Sequence, residues 1–171
     1  GLSNFYWHRN LNLAVAEIVK KISPNTIVII GGPNIDTDSA VQYEVHQSYL
    51  GNCDYLVSGE GEIPFCNILE KKLSGKFRKI EAIEGVVSFD GSRRIYGGDV
   101  ADPELNTISS PYLSGLLDEF LGPQYTPMIQ FSRTCPYKCS FCASARPGKV
   151  RAYSLDQQKE EILSESSAGQ R

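Results

Sequence analysis

Three cysteines in one short run are the residues of this sequence best suited to chemistry. Cys135, Cys139 and Cys142 stand in the run CPYKCSFC, so all three thiols belong to one short segment. Thiolates are soft ligands, which select zinc, copper(I) or iron–sulfur clusters. The spacing therefore predicts that the three side chains bind a single metal centre.

The number of nearby ligands distinguishes between these metals. A structural zinc site normally uses four protein ligands. A cubane cluster held by three cysteine thiolates instead leaves one iron open to a substrate or cofactor. Further candidate ligands stand far away, in the first predicted domain: Cys53, Cys66, His8 and His46. We therefore predict a 4Fe–4S cluster, with zinc as the alternative, and we interpret Cys53 and Cys66 as small buried apolar residues.

The cysteine run lies between two predicted elements that would hold it. The apolar segment 128–132 predicts a strand directly before the run. Ser154 and Gln157 form a capping box for a helix after it. In α/β barrels and open sheets, ligands bind at the carboxyl ends of strands. A metal-binding loop that follows a strand is therefore expected to belong to an active site.

The first 75 residues alternate between predicted strands and helices. The β-branched run 26–30 and the run 54–58 suit parallel strands that are covered on both faces. Segment 2–7 is interpreted as a further buried strand, whose aromatic side chains pack inside. This alternation predicts a parallel sheet with right-handed crossovers, the doubly wound class of α/β fold.

Local signals mark the predicted helices between these strands. Asn10 can cap the first helix, and either Asp36 or Asp38 can cap the second. Pro64 suits the first turn of the third helix, because the backbone N–H that proline lacks has no partner there.

The pattern changes after residue 75. Residues 85–98 alternate around Asp90-Gly91 and predict a β-hairpin, and a linker rich in proline and glycine follows. We divide the chain into a partial doubly wound, Rossmann-like domain at 1–75, a hairpin and linker at 76–126, and the first βα unit of a second domain at 127–171.

Two loops rich in glycine follow predicted strands of the first domain. Glycine lets a backbone approach a ligand closely, and doubly wound sheets bind ligands at this edge. Neither loop matches a dinucleotide fingerprint or a P-loop, and the two carboxylates of the second would repel phosphate. Tight βα turns without a ligand are the alternative. The candidate ligand-binding residues are Gly31, Gly32, Pro33, Gly59, Glu60, Gly61 and Glu62.

Composition and charge exclude several classes of function. The formal net charge is −3, and the densest basic stretch, 71–79, is interpreted as a solvated helix end and loop, so a nucleic-acid partner is not expected. No apolar run is long enough to cross a bilayer, so no membrane partner is expected. An odd number of cysteines, five, argues against a disulfide framework. A reducing, cytoplasmic location fits better.

The cysteine run and its surroundings resemble the C-x3-C-x2-C motif of the radical SAM superfamily. Ser132-Arg133 precedes the run, Phe141 lies within it, and Arg151 and Ser154 stand before the next predicted helix. The resemblance implies that Cys135, Cys139 and Cys142 each bind one iron, that S-adenosylmethionine chelates the fourth, and that the backbone near Phe141 lies against the adenine. Cleavage of S-adenosylmethionine would then release a 5′-deoxyadenosyl radical. Thr134 is a departure, because glycine is commoner there.

The first domain adds a narrower resemblance. The segments IVIIGGPNI, DYLVSGEGEIPFCNILE and SSPYLSGLL together resemble the cobalamin-binding subgroup of radical SAM enzymes, in which a cobalamin-type Rossmann domain precedes the barrel. The resemblance implies that the residues of both glycine loops border the cobalamin. The subgroup's frequent Asp-x-His-x-x-Gly loop is absent, and only the first βα unit of a barrel is present. We therefore expect a fragment of a longer enzyme, inactive in isolation.

These resemblances imply an enzyme that uses a 4Fe–4S cluster, S-adenosylmethionine and cobalamin. The implied reaction is methyl transfer, or a cyclisation, at an unreactive carbon of a small-molecule substrate, with an electron donor for the cluster. One alternative is a radical SAM protein of the methylthiotransferase type that acts on RNA. The other is a metal-binding or corrinoid-binding module without turnover.

Overall fold

The computed structural model describes residues 1–75, 81–121, 124, 126–137, 139–142 and 148–168. The chain forms two compact units. We name Gly1–Asp102 the sheet unit and Pro103–Arg171 the cysteine unit. The predicted division into three parts stays a prediction.

The sheet unit is built on a five-stranded sheet in the order β1-β2-β3-β4-β5. The first three strands are parallel, and the last two are antiparallel to their neighbours, so the predicted α/β class is confirmed with a mixed sheet. Its elements are β1 (Leu2–Ser3), α1 (Arg9–Ile22), β2 (Ile29–Gly31), α2 (Ser39–Ser48), β3 (Tyr55–Val57), α3 (Glu62–Leu73), β4 (Val86–Asp90) and β5 (Arg93–Tyr96).

Continuous apolar runs place β2 and β3 in the core. Val28, Ile29 and Ile30 are buried, as are all three residues of β3. Strands buried on both faces need such runs, because alternation would bring polar side chains into the core. The strands predicted at 26–30 and 54–58 therefore form, with shorter hydrogen-bonded stretches.

A buried ion pair fixes the amino ends of the parallel strands. Lys20 Nζ lies 2.5 Å from Asp54 Oδ2, and their side chains are only 15% and 9% exposed. The same carboxylate accepts from Val28 N–H at 2.8 Å, and Lys20 also donates to Thr26 O at 2.6 Å. The end of α1 and the starts of β2 and β3 are thus joined through one carboxylate and one ammonium.

The predicted hairpin is confirmed, and it extends the sheet. β4 and β5 pair around Asp90-Gly91, and β4 also pairs with β3, with Val57 opposite Val86. Buried Gln42 on α2 accepts from Arg94 Nε at 3.0 Å. The guanidinium of Arg94 also lies 4.3 Å from the centre of the Tyr96 ring, so Arg94 is more enclosed than a solvated hairpin arginine.

Helix starts follow the sequence signals in part. Asp38 caps α2 by accepting from the N–H groups of Ala40 and Val41, and Pro64 lies in the first turn of α3. The prediction for Asn10 is wrong, because α1 begins at Arg9 after a short 3-10 turn and Asn10 lies inside the helix.

The aromatic opening segment is not a buried strand. β1 ends at Ser3, and a 3-10 turn spans Tyr6–His8. Tyr6 and Trp7 are 85% and 71% exposed. Phe5 stacks on Trp7, with ring centroids 5.1 Å apart. A turn that runs straight into α1 takes these residues out of the sheet, which periodicity alone does not indicate.

The cysteine unit contains a short antiparallel ribbon and a helix. Its elements are β6 (Ser132–Arg133), β7 (Arg151–Ala152) and α4 (Leu155–Ala168). Of the strand predicted at 128–132, only residue 132 pairs, and its partner is antiparallel. The described part of the chain offers this segment no parallel neighbour. Half of the predicted capping box forms, because Gln157 N–H donates to Ser154 Oγ at 3.2 Å.

No helix in the described residues has the length and apolar composition needed to cross a bilayer.

Candidate cofactor-binding sites

The three parallel strands of the sheet unit end side by side. Ser3, Gly31 and Val57 lie in one row across β1, β2 and β3. Parallel strands share their carboxyl edge, so the loops that follow them meet there. Both glycine loops singled out from the sequence therefore begin at one edge of the sheet.

Gly32 is required by packing within the protein. Its φ is +109°, a conformation that side chains rarely adopt. An added Cβ would lie 2.9 Å from Asn4 N and 3.3 Å from Asn4 O. At Gly31 a Cβ would meet Val57 at ordinary distances of 3.6 and 3.7 Å. The glycine at 32 is therefore explained by the close approach of β1, without a ligand, and Pro33 beside it is exposed.

The loop after β3 is more open. Gly59 has a φ of +82°. Gly61 has an ordinary backbone conformation as the N-cap of α3, and a Cβ added there would meet no atom of the described residues within 4 Å. Glu60 is half-buried, and Glu62 lies in the first turn of α3, where the helix dipole favours a carboxylate. Among the described residues, packing therefore does not explain why residue 61 is a glycine.

The sequence analysis did not single out Asn4 at this edge. Asn4 is 4% exposed, and its Oδ1 has no hydrogen-bond partner among the described residues. Its backbone is fixed, because its N–H donates to Gly31 O at 2.5 Å and its carbonyl accepts from Asn34 N–H at 3.2 Å. The signal that could have identified this position is an asparagine directly after β1, within the predicted buried segment 2–7.

The cysteine run is surface-accessible. Cys139 and Cys142 are exposed, and Cys135 is half-buried. Cys142 N–H donates to Cys139 O at 3.0 Å, which closes a tight turn between the last two cysteines. Within the described residues, no three histidine, cysteine, aspartate or glutamate side chains are close enough together to hold a metal ion. The predicted metal ligands thus share one loop but are not gathered.

The stem of this loop is held by local hydrogen bonds. Ser132 pairs with Ala152 and Arg133 with Arg151, and Tyr153 N–H donates to Phe131 O at 3.1 Å. Further bonds join the stem to the rest of the cysteine unit. They run from Arg133 Nη2 to Tyr153 Oη (3.3 Å), from Gln158 Nε2 to Tyr153 O (2.7 Å), from Arg151 Nη1 to Pro103 O (2.8 Å) and from Ser154 N to Asn106 Oδ1 (2.9 Å).

Phe141 is 90% exposed, so its ring is free to lie against a ligand. The structure does not test the adenine contact that the resemblance implies for its backbone, and that contact stays a prediction.

The more distant candidate ligands differ in their surroundings. Burial, and next the Asp54 carboxylate, raise the pKa of Cys53 to about 12, which fits the predicted buried apolar residue. Cys66 is exposed, so the same prediction is wrong there. Burial also lowers the pKa of His46, whose ring lies 4.9 Å from that of Phe89. His8 makes edge contacts with Phe5 and Trp7.

The structure describes only part of the basic stretch 71–79, which is interpreted from the sequence as a solvated helix end and loop. Lys71 forms an ion pair with Glu81. Residues 76–79 lie outside the described residues.

The donor sets fit the groups that the sequence implies. Three thiols on one loop, two of them exposed, offer the soft ligands that an iron–sulfur cluster needs. At the sheet edge, the open space at Gly61 and the unpaired buried oxygen of Asn4 fit a bound molecule that carries polar groups. The exposed rings of Tyr6 and Trp7 add apolar surface to the loop after β1.

Comparison with known proteins gives relatives over nearly the whole chain, although no protein-family model matches. The cobalamin-dependent radical SAM methyltransferase TokK of Streptomyces tokunonensis is 31% identical over 170 residues, 94% of this chain and 24% of that protein. The 2-(S-pantetheinyl)-carbapenam-3-carboxylate methyltransferase of Streptantibioticus cattleyicolor is 28% identical over the same shares. An uncharacterized methyltransferase of Pyrococcus horikoshii, PH0819, is 27% identical over 86% of this chain and 32% of its own length.

The chain spans about a quarter of the length of the first two relatives and about a third of the length of the third. All three are named methyltransferases, and one is named both cobalamin-dependent and radical SAM. This similarity supports the family to which the cysteine run and the glycine loops point.

Proposed function

We propose that this chain is part of a cobalamin-dependent radical SAM methyltransferase. The cysteine unit would hold a 4Fe–4S cluster, and the sheet unit would border cobalamin. The observation that carries the proposal is the cysteine triplet, which offers three thiols, two exposed and one half-buried, on one loop between the paired strands β6 and β7. The similarity to a cobalamin-dependent radical SAM methyltransferase over 94% of the chain supports the same proposal.

Cys135, Cys139 and Cys142 would bind the cluster as thiolates, one iron each. Three ligands leave one iron for S-adenosylmethionine, whose adenine would lie near the backbone of Phe141. When bound, these groups supply the electron that cleaves S-adenosylmethionine and the carrier for the transferred methyl group. The chain's own part is to carry the three thiols on one loop whose stem is paired.

The residues at the carboxyl edge of the sheet would bind cobalamin. Gly61 would admit the cofactor to the open space beside its Cα at the start of α3, and Asn4 would offer a hydrogen-bond acceptor after a small rearrangement of its side chain. The remaining residues of the two loops would form the border of the site: Gly31, Gly32, Pro33, Gly59, Glu60 and Glu62.

The complete enzyme would transfer a methyl group to an unreactive carbon of a small-molecule substrate, with an electron donor reducing the cluster. Three cluster thiols must stay reduced to bind iron, so we place the enzyme in the cytoplasm. We do not expect the isolated chain to turn over substrate.

Anaerobic reconstitution with iron and sulfide tests the cluster. We expect about four irons and four sulfides per chain, together with the broad absorbance of thiolate-to-iron charge transfer. Cys139→Ala should abolish stable binding. The matched control is Cys66→Ala, which removes an exposed thiol of the sheet unit and should change nothing. One equivalent of zinc without sulfide, or equal iron in both variants, would contradict the proposal.

Titration with hydroxocobalamin tests the sheet edge. An added Cβ at Gly61 would meet no described atom within 4 Å, so we expect the fold to tolerate Gly61→Phe while cobalamin binding weakens about tenfold or more. Asn25→Phe, at an exposed turn near the amino ends of the strands, is the matched control and should bind like the parent chain. Equal affinities in the two variants would place cobalamin elsewhere.

A further inference from the structure

The residue before the first cysteine breaks the ribbon in an unusual way. The register of β6 and β7 pairs Ser132 with Ala152 and Arg133 with Arg151, so Thr134 occupies the next position of the ladder. Its φ is +64°. A β-branched residue in this left-handed region is an outlier, because its branched side chain crowds the backbone. Glycine would adopt the same turn without strain.

The hydroxyl of Thr134 contacts the returning end of the cysteine loop beyond the last strand pair. Its Oγ1 lies 2.6 Å from Lys149 O, across a separation of 15 residues. The same oxygen lies 2.6 Å from Arg133 O, so its single proton is shared between two carbonyl acceptors. The contact with Lys149 joins the outgoing and returning ends of the cysteine loop one residue before Cys135.

We propose that Thr134 is a positioning residue of the cysteine loop, whose hydroxyl closes the loop against Lys149 and thereby fixes the backbone direction at Cys135. This proposal rests on the proposed function, because the direction of Cys135 matters only if that thiol binds the cluster. Closure removes conformational freedom from the loop before the metal arrives, so less remains to be lost on binding.

Three substitutions at this position separate the hydroxyl from the turn. Thr134→Val keeps the shape and removes the hydroxyl, and Thr134→Ser keeps a hydroxyl without the methyl group. Thr134→Gly removes the hydroxyl and also relieves the strained φ. If the hydroxyl closes the loop, Thr134→Val and Thr134→Gly should behave alike, and Thr134→Ser should behave like the parent.

The first measurement needs no metal. In the metal-free full chain, alkylation of half-buried Cys135 by iodoacetamide, followed by peptide mass spectrometry, reports how often the loop opens. Loss of one neutral hydrogen bond should raise the rate about three- to tenfold in Thr134→Val and Thr134→Gly. Thr134→Ser should stay within about twofold of the parent. Exposed Cys66 is the internal control and should react equally in all of them.

The second measurement uses the reconstituted chain. We expect the Thr134→Val cluster to release iron to a chelator several-fold faster than the parent, with an altered electron paramagnetic resonance spectrum, and Thr134→Ser to restore both. Unchanged alkylation and unchanged cluster spectra in Thr134→Val and Thr134→Gly would overturn the proposal. Should Thr134→Val fail to fold, Thr134→Gly and Thr134→Ser decide the question.

The two measurements also separate this proposal from the proposed function. If the parent binds no cluster but Cys135 alkylation responds to the hydroxyl, the proposed function fails and closure of the loop stands. If the parent binds a cluster and Thr134→Gly matches it in every readout, the turn alone positions Cys135. The role of the hydroxyl is then refuted, while the proposed function stands.

Discussion

The carboxyl edge of the sheet and the cysteine loop are built in opposite ways. Ser3, Gly31 and Val57 come from three distant parts of the chain and are brought into one row by a buried sheet. The three cysteines are close neighbours in sequence and lie on a loop with a two-rung stem. The buried sheet thus brings the residues of the edge together, whereas the residues of the loop are together because they are close in sequence.

This difference shows how each candidate site combines rigidity and specificity. Gly32 at the sheet edge packs directly against the Asn4 backbone, so no larger residue fits at position 32 without a shift of that backbone. The cysteine loop is pinned at its stem, while two of its three thiols are exposed. Because these two thiols are exposed, a metal could reach them without any opening of the core.

The largest expected effect is the loss of unfolding free energy when one of two Asp–Lys ion pairs, one in each unit, is broken. Asp54 pairs with Lys20 in the sheet unit, with little exposure on either side, and Asp156 pairs with Lys159 on α4 at 3.8 Å, with 92% and 70% exposure. Asp54→Asn should lower the free energy of unfolding by about 3 kcal/mol, because it leaves a buried ammonium without its counter-charge. Asp156→Asn should cost no more than about 0.5 kcal/mol.

Urea unfolding followed by far-ultraviolet circular dichroism measures both variants. The exposed pair Lys21 and Glu17 on α1 gives a control within the sheet unit, and Glu17→Gln should resemble Asp156→Asn. Similar losses for Asp54→Asn and Asp156→Asn would mean that the two units do not differ in burial as described.

A smaller effect per pH unit should appear in alkaline solution. Burial raises the pKa of Cys53 and of Tyr55 to about 12, so the folded protein keeps these groups neutral after the unfolded chain has begun to ionise them. The stabilisation is complete below the unfolded pKa values, near 8.5 and 10, and is lost as the pH rises toward about 12. Each group should lower stability by about 1.4 kcal/mol per pH unit within its own window.

Removal of the buried Cys53 thiol isolates its contribution to the pH dependence of the unfolding free energy. Cys53→Ala should flatten the dependence of unfolding free energy on pH between about pH 9 and about pH 10, before tyrosine ionises. Cys66→Ala removes an exposed thiol from the same unit and should leave the slope unchanged. An equal slope in the parent and in Cys53→Ala would show that the thiol is not held neutral by burial.

The sequence predicts well wherever a local signal and the core agree. The β-branched run before Gly31, the Asp38 cap, Pro64 and the turn at Asp90-Gly91 all appear as expected. Each of these signals either acts on residues next to it in the sequence or belongs to an apolar strand that must be buried in the core. The α/β class follows from their order along the chain.

The same reasoning is wrong where distant contacts decide. The aromatic opening segment leaves the sheet, because a 3-10 turn leads into α1 at Arg9. At the cysteine loop, the sequence predicts three metal ligands but not the contact of Thr134 with Lys149, which lies 15 residues away along the chain. The burial of Asn4 Oδ1, which has no hydrogen-bond partner among the described residues, likewise follows from contacts between Asn4 and the distant residues Gly31 and Asn34.

The smallest effect should come from the stem of the cysteine loop. Arg133 Nη2 donates to Tyr153 Oη at 3.3 Å, a long bond in a partly buried place. Tyr153→Phe removes the acceptor and should cost about 0.5 kcal/mol, since the backbone pairs of β6 and β7 remain. Hydrogen exchange of the peptide 150–158 measures the loss as a roughly twofold faster exchange. Tyr137→Phe, at a 71% exposed ring in the same loop, is the control and should change nothing. A loss for Tyr153→Phe as large as that for Asp54→Asn would mean that the stem depends on this side chain and would remove the contrast between the two regions.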